Sequence, residues 1–161
     1  MRGLNHDVDL MIFDADGTLR RTLIAGQPAP RAPGEWELLP NVRATLAQFD
    51  WAGTRFALAS NQDQVGYGLY TAEMAGRLLR DLAAAATGGA CETPVIRFCP
   101  HRLDVSCLCR KPAPGMLLDI LRETNTNAVR ALFVGDNETD RAAAESAGVR
   151  FRWAREFFDH A

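Results

Sequence analysis

Ile12-Phe13-Asp14-Ala15-Asp16-Gly17-Thr18 is the stretch of this sequence that decides its fold. Residues 8–13, which lead into the carboxylates, are apolar with one exception and predict a buried strand. Because side chains alternate along a strand, extended backbone would point Asp14 and Asp16 to the same side. Gly17 permits a turn directly afterwards. Two adjacent carboxylates repel each other, so the pair favours a bound cation or a shared proton, although a solvated Asp-Gly turn also fits these residues alone.

The overall composition is that of an ordinary globular protein. The chain has 161 residues, of which 47% are hydrophobic and 24% charged, so we expect one domain covering residues 1–161. The net charge of −2 gives no reason to expect nucleic acid or an anionic membrane as the main partner, and a monomer is the simplest expectation. No apolar run approaches the ~18 residues of a membrane-spanning helix.

The N-terminus and the cysteines favour a reducing compartment. The first residues lack a signal-peptide pattern, so a cytoplasmic location is expected. In a reducing cytoplasm, the four cysteines are expected to be thiols or metal ligands rather than disulfides.

Strand and helix patterns alternate along the rest of the chain. The further predicted strands are 55–59, 94–98, 131–134 and 149–153. The predicted helices are 41–49, with Asn41 as N-cap, 71–86, one that begins near Pro114, and one that ends near Ala147. Residues 20–40 are rich in Pro, Gly and Arg and predict a long irregular loop. The alternation predicts an α/β fold, Rossmann-like, with three layers around a central parallel sheet.

Polar side chains follow the carboxyl ends of the predicted strands. They are Asp14 and Asp16, Ser60 and Asn61, Arg110 and Lys111, and Asp136 with Asp140. Open α/β sheets place their sites at this edge. The Ser60-Asn61 pair offers hydroxyl, amide and backbone N–H groups that suit a phosphate. Lys111 is the only lysine among 18 basic residues, which indicates a position where a compact ammonium is preferred to a guanidinium.

Three of the four cysteines and one histidine lie in a short segment, residues 99–109, which we name the Cys/His loop. Cys99, His101, Cys107 and Cys109 supply three thiolates and an imidazole, a complete tetrahedral zinc set. Their spacings are tighter than those of common zinc fingers, and three unligated buried cysteines are the alternative. Cys91 lies outside this group and has no assigned role.

Taken together, these motifs resemble the haloacid dehalogenase superfamily of phosphatases over most of the chain. The matching motifs are, in order, Asp14-Ala15-Asp16-Gly17-Thr18, Ser60-Asn61, Lys111, and Gly135-Asp136 with Asp140. Three segments are further similar to the histidinol-phosphate and heptose bisphosphate phosphatase group (subfamily IIIA), which carries the same zinc loop: Ser60-Asn61-Gln62, Cys99-Pro100-His101 and Cys109-Arg110-Lys111-Pro112. Ala15 departs from the arginine that these relatives often have at its position.

The resemblance implies a mechanism and a set of site residues. Asp14 would attack phosphorus and form an aspartyl-phosphate, and Asp16 would act first as general acid and then as general base. Mg²⁺ would be held by Asp14, the backbone carbonyl of Asp16, and Asp136, while zinc in the Cys/His loop would be structural. The remaining site residues are Ser60, Asn61 and Lys111 for the phosphoryl oxygens, Gln62 and Arg110 for the substrate, and Asp140 and Asn137 in support of the metal ligands.

The resemblance also implies a small phosphorylated substrate. A sugar bisphosphate or a histidinol phosphate-like compound is expected first, which points to carbohydrate metabolism or histidine biosynthesis. The segments between the motifs are too short for a large cap domain, so we expect an open site bordered by residues 20–40 and the Cys/His loop, with Arg20 or Arg21 near the substrate. A polynucleotide end phosphatase is the alternative enzyme, because such enzymes share the Ser-Asn-Gln signature. A phosphosugar- or protein-binding module without turnover is the non-enzymatic alternative.

Overall fold

Seven strands and five α-helices make up the described part of the chain. The structure is a computed structural model that describes residues 7–160. The strands are β1 (Leu10–Phe13), β2 (Arg20–Thr22), β3 (Trp36–Leu38), β4 (Arg55–Asn61), β5 (Val95–Cys99), β6 (Ala131–Gly135) and β7 (Arg150–Trp153). The helices are α1 (Val42–Leu46), α2 (Ala72–Thr87), α3 (Gly115–Thr124), α4 (Glu138–Ala147) and α5 (Ala154–Phe157). None of these described helices has both the length and the apolar character needed to cross a membrane.

Five of the strands form one parallel sheet in the order β5-β4-β1-β6-β7. β1 lies at its centre, where Phe13 pairs with Leu58 of β4 and with Val134 of β6. All four residues of β1 are buried, as a central strand covered on both faces requires. The predicted α/β fold with a central parallel sheet is confirmed, and the segment predicted at 149–153 is its fifth strand.

Helices cover both faces of the sheet and give the fold three layers. Met11 and Phe13 point to the face covered by α1, α2 and α5, where Phe157 joins the same apolar cluster. Leu10 and Ile12 point to the opposite face, which α3 and α4 cover. Burying a large apolar side chain contributes ~1.5–3 kcal/mol, so these two clusters hold the helices on the sheet.

The segment 20–40 is not wholly irregular, contrary to the sequence prediction. β2 and β3 pair antiparallel at its two ends, with Arg20 opposite Leu38 and Thr22 opposite Trp36. Strands of three residues carry too little alternation to be recognised, and most of the prolines and glycines that suggested a loop lie between them. The result is a hairpin that follows the Asp-Gly turn after β1.

α1 begins directly after Asn41, as predicted, but it ends at Leu46 rather than near residue 49, and the Asn41 side chain does not cap it. Asn41 precedes the helix with a φ of 69°. Its amide donates instead to the carbonyl oxygens of Phe158 and Asp159, which ties α1 to the chain after α5. α2 begins where the sequence predicts it. Thr71 Oγ1 accepts a hydrogen bond from the backbone N–H of Met74 at 3.1 Å and caps this helix.

The carboxyl edge of the sheet carries no folded cap domain within residues 7–160. The long connections at this edge are the β2–β3 hairpin, residues 62–71 and residues 100–114. This agrees with the expectation of an open site, and it leaves the hairpin and the Cys/His loop as the segments that border the site.

Candidate active site

The carboxyl ends of β1, β4 and β6 meet around a cavity of about 190 Å³. Asp14 continues β1, and its backbone N–H donates to the Val134 carbonyl at 3.0 Å, which keeps it in register with β6. Asp14 and Asp16 both line the cavity, while Ala15 between them is buried in the core, as strand alternation predicts. The residues that line the cavity are Asp14, Asp16, Pro28, Ala29, Asn61, Gln62, Asp63, Gln64, Lys111, Asp136, Asn137, Thr139 and Asp140.

The Lys111 ammonium is buried among three oxygen atoms. Its Nζ lies 2.8 Å from Asp14 Oδ1, 2.6 Å from Asp140 Oδ1 and 2.9 Å from the carbonyl oxygen of Ala59. These three acceptors match the three N–H bonds of an ammonium. Burial acts to lower the pKa of Lys111, but the charges of Asp14 and Asp140 outweigh burial and raise it. The lysine is therefore a fixed positive charge in the site.

The carboxyl groups of the site outnumber this positive charge. Burial raises the pKa of Asp14 to about 7, with Lys111 acting against the rise and Asp136 adding to it. Burial and the charge of Asp14 likewise raise the pKa of Asp140, although Lys111 acts against this rise. Because the one ammonium contacts only Asp14 and Asp140 while the Asp136 carboxyl group lies close to both, the surplus of negative charge favours a further cation.

The donor set of the site fits a hard divalent cation. Asp14, Asp136 and Asp140 bring carboxylate oxygens within 4.8 Å of one another. Both oxygens of Asp140 are engaged by the protein, Oδ1 by Lys111 and Oδ2 by the backbone N–H groups of Asp136 and Asn137 at 3.2 and 3.1 Å. The carboxylates of Asp14 and Asp136 are therefore the ones available to an ion such as Mg²⁺, which prefers oxygen ligands.

The turn formed by Gly17 and Thr18 sets the approach of Asp136 to Asp14. The hydroxyl of Thr18 is fully buried and lies 3.3 Å from both Asp14 Oδ2 and Asp136 Oδ1. Gly17 has a φ of 84°, and a Cβ at this position would lie 2.1 Å from Asp136 Oδ2. Glycine is therefore required here both by the backbone conformation and by the nearby carboxylate.

Asp16 accepts hydrogen bonds on both of its carboxylate oxygens. Arg20 donates from Nε to Oδ1 at 2.8 Å and from Nη2 to Oδ2 at 3.3 Å, and Gln62 Nε2 donates to Oδ2 at 2.8 Å. The Arg20 side chain is 1% exposed and faces inward, whereas Arg21 is exposed and pairs with Glu37. Neither arginine is among the described residues that line the cavity.

The residues of the Ser60-Asn61-Gln62 segment are engaged within the protein. Ser60 is buried, and its Oγ accepts a hydrogen bond from Gln62 Nε2 at 2.7 Å. Asn61 pairs with the backbone of Lys111, donating to its carbonyl at 3.2 Å and accepting from its N–H at 3.0 Å. Gln62 Oε1 in turn accepts a hydrogen bond from the Tyr70 hydroxyl. Asn61 and Gln62 line the cavity, and Ser60 lies outside its lining.

Arg110 is turned towards the Cys/His loop rather than the cavity. Its guanidinium donates to the carbonyl oxygens of Arg102, Leu103 and Val105 at 2.8, 3.4 and 2.7 Å. Because one side chain binds three carbonyls in succession, it braces the exposed part of this loop.

The four side chains predicted to bind zinc meet in space. The ligand atoms of Cys99, His101, Cys107 and Cys109 all lie within 4.8 Å of one another, and all four cysteines of the chain are free thiols. Burial acts to raise the pKa of Cys107, but the backbone N–H of Arg110 and the neighbouring thiols outweigh it and lower the pKa to about 6. Three sulfur donors and one nitrogen donor fit tetrahedral zinc.

The contacts of several residues at the site could not be predicted from the sequence. Thr18 belongs to the first motif, but only the structure brings its hydroxyl to Asp136. The spacing of residues does not show which way an arginine points, so the inward orientation of Arg20 could not be predicted from the sequence. Pro28 and Ala29 reach the cavity wall because the hairpin folds back over it.

A larger groove of about 500 Å³ lies beside β5 and α3. Its lining is mainly apolar and includes Phe98, Leu108 and Met116. None of the site's carboxylates is among the described residues that line it, so the chemistry belongs to the smaller polar cavity.

Comparisons with known proteins identify the family of this chain. A family model described as haloacid dehalogenase-like hydrolase matches residues 20–148. The chain is similar to the D-glycero-beta-D-manno-heptose-1,7-bisphosphate 7-phosphatase of Bordetella bronchiseptica, with 33% identity over 141 residues (86% of this chain, 76% of the relative). The enzyme of the same name from Pseudomonas putida is 35% identical over 144 residues (88% of this chain, 79% of the relative).

A solved structure is similar as well. It is the D,D-heptose 1.7-bisphosphate phosphatase from B. bronchiseptica complexed with magnesium and phosphate, with a TM-score of 0.77 and 30% identity over 89% of this chain and 79% of that chain. The family model covers most of the sequence, and each relative is matched over more than two thirds of its length. This chain belongs to the haloacid dehalogenase-like hydrolase family.

Proposed function

We propose that this protein is a Mg²⁺-dependent phosphomonoester hydrolase that acts on a small phosphorylated sugar through an aspartyl-phosphate on Asp14. The observation that carries the proposal is the buried contact between Asp14 Oδ1 and Lys111 Nζ at 2.8 Å. A buried carboxylate beside a fixed ammonium, in the wall of a polar cavity, suits a nucleophile whose target carries negative phosphoryl oxygens. The relatives named above are phosphatases, which supports the same reaction.

Two carboxyl groups of the chain account for both halves of the reaction. In the first half, an oxygen of Asp14 attacks phosphorus, the bond from phosphorus to the ester oxygen breaks, and Asp16 gives its proton to the leaving alkoxide. In the second half, a water molecule attacks phosphorus while it loses a proton to Asp16, and the bond from Asp14 to phosphorus breaks. Phosphate leaves, and both carboxyl groups return to their starting forms.

Lys111 is proposed to stabilise the negative charge of the phosphoryl group during transfer. Asn61 acts through Lys111, since both of its amide groups bind the lysine backbone. Ser60 acts through Gln62, to which it is hydrogen-bonded. These contacts, and those of Arg110 with the Cys/His loop, favour supporting roles for residues expected from the sequence to touch the substrate.

Asp14 and Asp136, together with the backbone carbonyl of Asp16, are the proposed ligands of Mg²⁺. Asp140 and Asn137 support them, because Asp140 holds the backbone at Asp136 and Asn137 caps α4. Bound Mg²⁺ supplies positive charge that offsets the repulsion between the carboxylates and the phosphoryl oxygens. The similar structure from B. bronchiseptica is a complex with magnesium and phosphate.

A structural Zn²⁺ is proposed for the Cys/His loop. Four protein ligands, Cys99, His101, Cys107 and Cys109, leave no position for a water molecule, so such an ion would not supply a nucleophile. Cys109 lies two residues before Lys111, and fixing the thiolate limits where the lysine backbone can lie.

The proposed substrate class rests on the relatives and on the cavity wall. Both relatives are named as heptose bisphosphate phosphatases. The wall of this cavity carries the amides of Gln64 and Asn137 and the hydroxyl of Thr139, which suit the hydroxyl groups of a sugar. The volume of about 190 Å³ suits the phosphoryl end of a small molecule.

A substrate panel tests the proposal. It compares sugar monophosphates, sugar bisphosphates, histidinol phosphate and end-phosphorylated oligonucleotides, with Mg²⁺ and after brief EDTA treatment. We expect release of phosphate from sugar phosphates that stops with EDTA and returns with added Mg²⁺. Preference for the oligonucleotides would favour an end phosphatase, and no turnover of any member would favour a binding module.

Asp14→Asn tests the covalent step. The variant keeps the size of the side chain and leaves Lys111 paired with Asp140, so we expect an unchanged circular dichroism spectrum and turnover reduced to background. Wild-type turnover by Asp14→Asn would exclude Asp14 as the nucleophile.

A further inference from the structure

We propose that Arg20, Gln62 and Tyr70 form a clamp that holds the Asp16 carboxyl group in the orientation from which it exchanges a proton with the leaving group. We name these three residues the Asp16 clamp. The inference rests on the proposed function. It assigns positioning roles to three side chains, of which Arg20 and Gln62 were expected from the sequence to lie near the substrate.

The Asp16 clamp provides three hydrogen bonds to two oxygen atoms. Arg20 Nε binds Oδ1 at 2.8 Å, while Arg20 Nη2 and Gln62 Nε2 bind Oδ2 at 3.3 and 2.8 Å. A two-pronged guanidinium–carboxylate contact fixes the plane of the carboxylate as well as its position, which a single hydrogen bond does not. Asp16 nevertheless remains 21% exposed at the cavity wall, so the clamped group can still reach a substrate.

The turn after β1 is what brings Arg20 to Asp16. The backbone N–H of Gly17 donates to the Arg20 carbonyl at 2.9 Å, and the N–H of Arg20 donates to the Ala15 carbonyl at 3.2 Å. Asp16 and Arg20 also form an isolated β-bridge. Because the chain folds back on itself within four residues, the first residue of β2 lies beside the second carboxylate of the motif.

Burial of Arg20 is not explained by a gain in stability. Its side chain is among the largest that are fully buried, and its Nη1 is buried without a hydrogen bond within residues 7–160. An unpaired buried donor is costly, and a buried ion pair can often be replaced by apolar side chains without loss of stability. The buried position of Arg20 is therefore better explained by the hydrogen bonds that Nε and Nη2 donate to Asp16.

Tyr70 fixes the orientation of the Gln62 amide. Its hydroxyl donates to Gln62 Oε1, and Gln62 Nε2 is thereby directed to Asp16 and Ser60. Burial, with the charge of Asp16 adding to it, raises the pKa of Tyr70 to about 12, so the hydroxyl keeps its proton at neutral pH. A rotated amide would present its oxygen to the Asp16 carboxylate and repel it.

Loss of the Asp16 clamp should slow only the step in which Asp16 gives a proton to the leaving group. A sugar alkoxide is a poor leaving group and depends on a well-placed acid, whereas p-nitrophenolate departs without a proton. Loss of the clamp should therefore reduce phosphoryl transfer from a sugar phosphate much more than from p-nitrophenyl phosphate. A side chain that serves only the fold would affect both esters alike.

Arg20→Met tests the Asp16 clamp, because it removes the guanidinium and keeps an unbranched side chain. Arg21→Met is the matched control, since Arg21 is the next residue of β2, is exposed and pairs with Glu37. The two esters are p-nitrophenyl phosphate and the sugar phosphate of the panel that the wild-type protein hydrolyses fastest. The quantity compared is kcat/KM, which reports the steps up to release of the first product.

We expect Arg20→Met to lower kcat/KM for the sugar phosphate by about 10-fold or more and for p-nitrophenyl phosphate by less than about 3-fold. Arg20→Lys, which retains the charge but not the two-pronged contact, should fall between Arg20→Met and the wild type. Arg21→Met should match the wild type on both esters. An equal loss on both esters in Arg20→Met would overturn the clamp.

If circular dichroism shows that Arg20→Met does not fold, Tyr70→Phe tests the Asp16 clamp instead. It removes one hydroxyl group and should shift the ratio of the two kcat/KM values in the same direction by a smaller factor. An unchanged ratio in Tyr70→Phe would then overturn the clamp. A wild-type protein inactive on both esters would overturn the proposed function and the clamp together, whereas an active wild type with insensitive variants would overturn the clamp alone.

Discussion

Asn61 and Lys111 exchange two hydrogen bonds, one from the Lys111 N–H to Asn61 Oδ1 at 3.0 Å and one from Asn61 Nδ2 to the Lys111 carbonyl at 3.2 Å. Asn61 is the last residue of β4, and Lys111 lies two residues beyond Cys109. The pairing therefore fastens the end of the Cys/His loop to the sheet at the residue that carries the ammonium. Loop geometry and the position of the site's positive charge are coupled through this one amide.

Asn61→Ala should reduce catalysis without unfolding the protein. Each hydrogen bond contributes ~0.5–1.5 kcal/mol net, so losing both corresponds to a decrease of roughly 5- to 150-fold in kcat/KM if the whole effect falls on the position of Lys111. Asn127→Ala is the matched control, because Asn127 uses its side chain to bind the backbone N–H of Val129 away from the site. Equal activity of the two variants would show that Asn61 does not position the lysine.

Lys111→Arg should lower the activity strongly although it keeps the positive charge. The ammonium lies among Asp14, Asp140 and the Ala59 carbonyl at 2.6 to 2.9 Å, and Lys111 itself is only 4% exposed. A guanidinium is larger and planar, so it cannot meet all three acceptors from the same place. We expect kcat/KM to fall by roughly 100-fold or more, as for loss of an electrostatic contact in a transition state. Activity within a factor of two of wild type would show that the position requires only a charge.

The sheet and its functional edge could be predicted because their causes are local. Residues 8–13 are apolar with one exception, which already indicates a strand covered on both faces. Residues 20–22 and 36–38 could not be recognised as strands, since each is too short to show alternation and they lie outside the five-stranded sheet. Asn41 occupies the predicted N-cap position, but its side chain makes no capping hydrogen bond because its amide binds the carbonyls of Phe158 and Asp159, which are distant in sequence.

Some features of the site could likewise be predicted from the sequence and others could not. Two groups could be predicted because their members end strands or belong to short motifs. The structure brings Asp14, Lys111 and Asp136 together at the cavity and, separately, the four predicted ligands of the Cys/His loop. The partners of Arg20, Arg110 and Gln62 were not predictable. Their side chains are long, and whether such a side chain turns to substrate or to the protein depends on carbonyls and carboxylates that the fold supplies.

Gly17→Ala should raise the Mg²⁺ concentration that the enzyme needs for activity. The new Cβ would lie 2.1 Å from Asp136 Oδ2, so Asp136 must move, and the φ of 84° adds backbone strain. Gly34→Ala is the matched control, since Gly34 has the same φ and nothing within 4 Å of its added Cβ. We expect both variants to lose ~1–3 kcal/mol of unfolding free energy from strain. Only Gly17→Ala should raise the Mg²⁺ concentration that gives half-maximal activity, and an equal rise in both would contradict the contact with Asp136.

Cys107→Ser tests the proposed zinc and its link to Lys111. Protein purified without added zinc should contain about one Zn²⁺ per chain, because thiolate-rich structural sites bind tightly, and it should keep this ion through the brief EDTA treatment that removes Mg²⁺. Cys107→Ser should lose the ion and much of its activity, while the apolar clusters keep the sheet folded. Cys91→Ser is the matched control, since Cys91 is a free thiol outside the cluster. Metal analysis of the three proteins decides the assignment, and a wild type without bound zinc at full activity would exclude it.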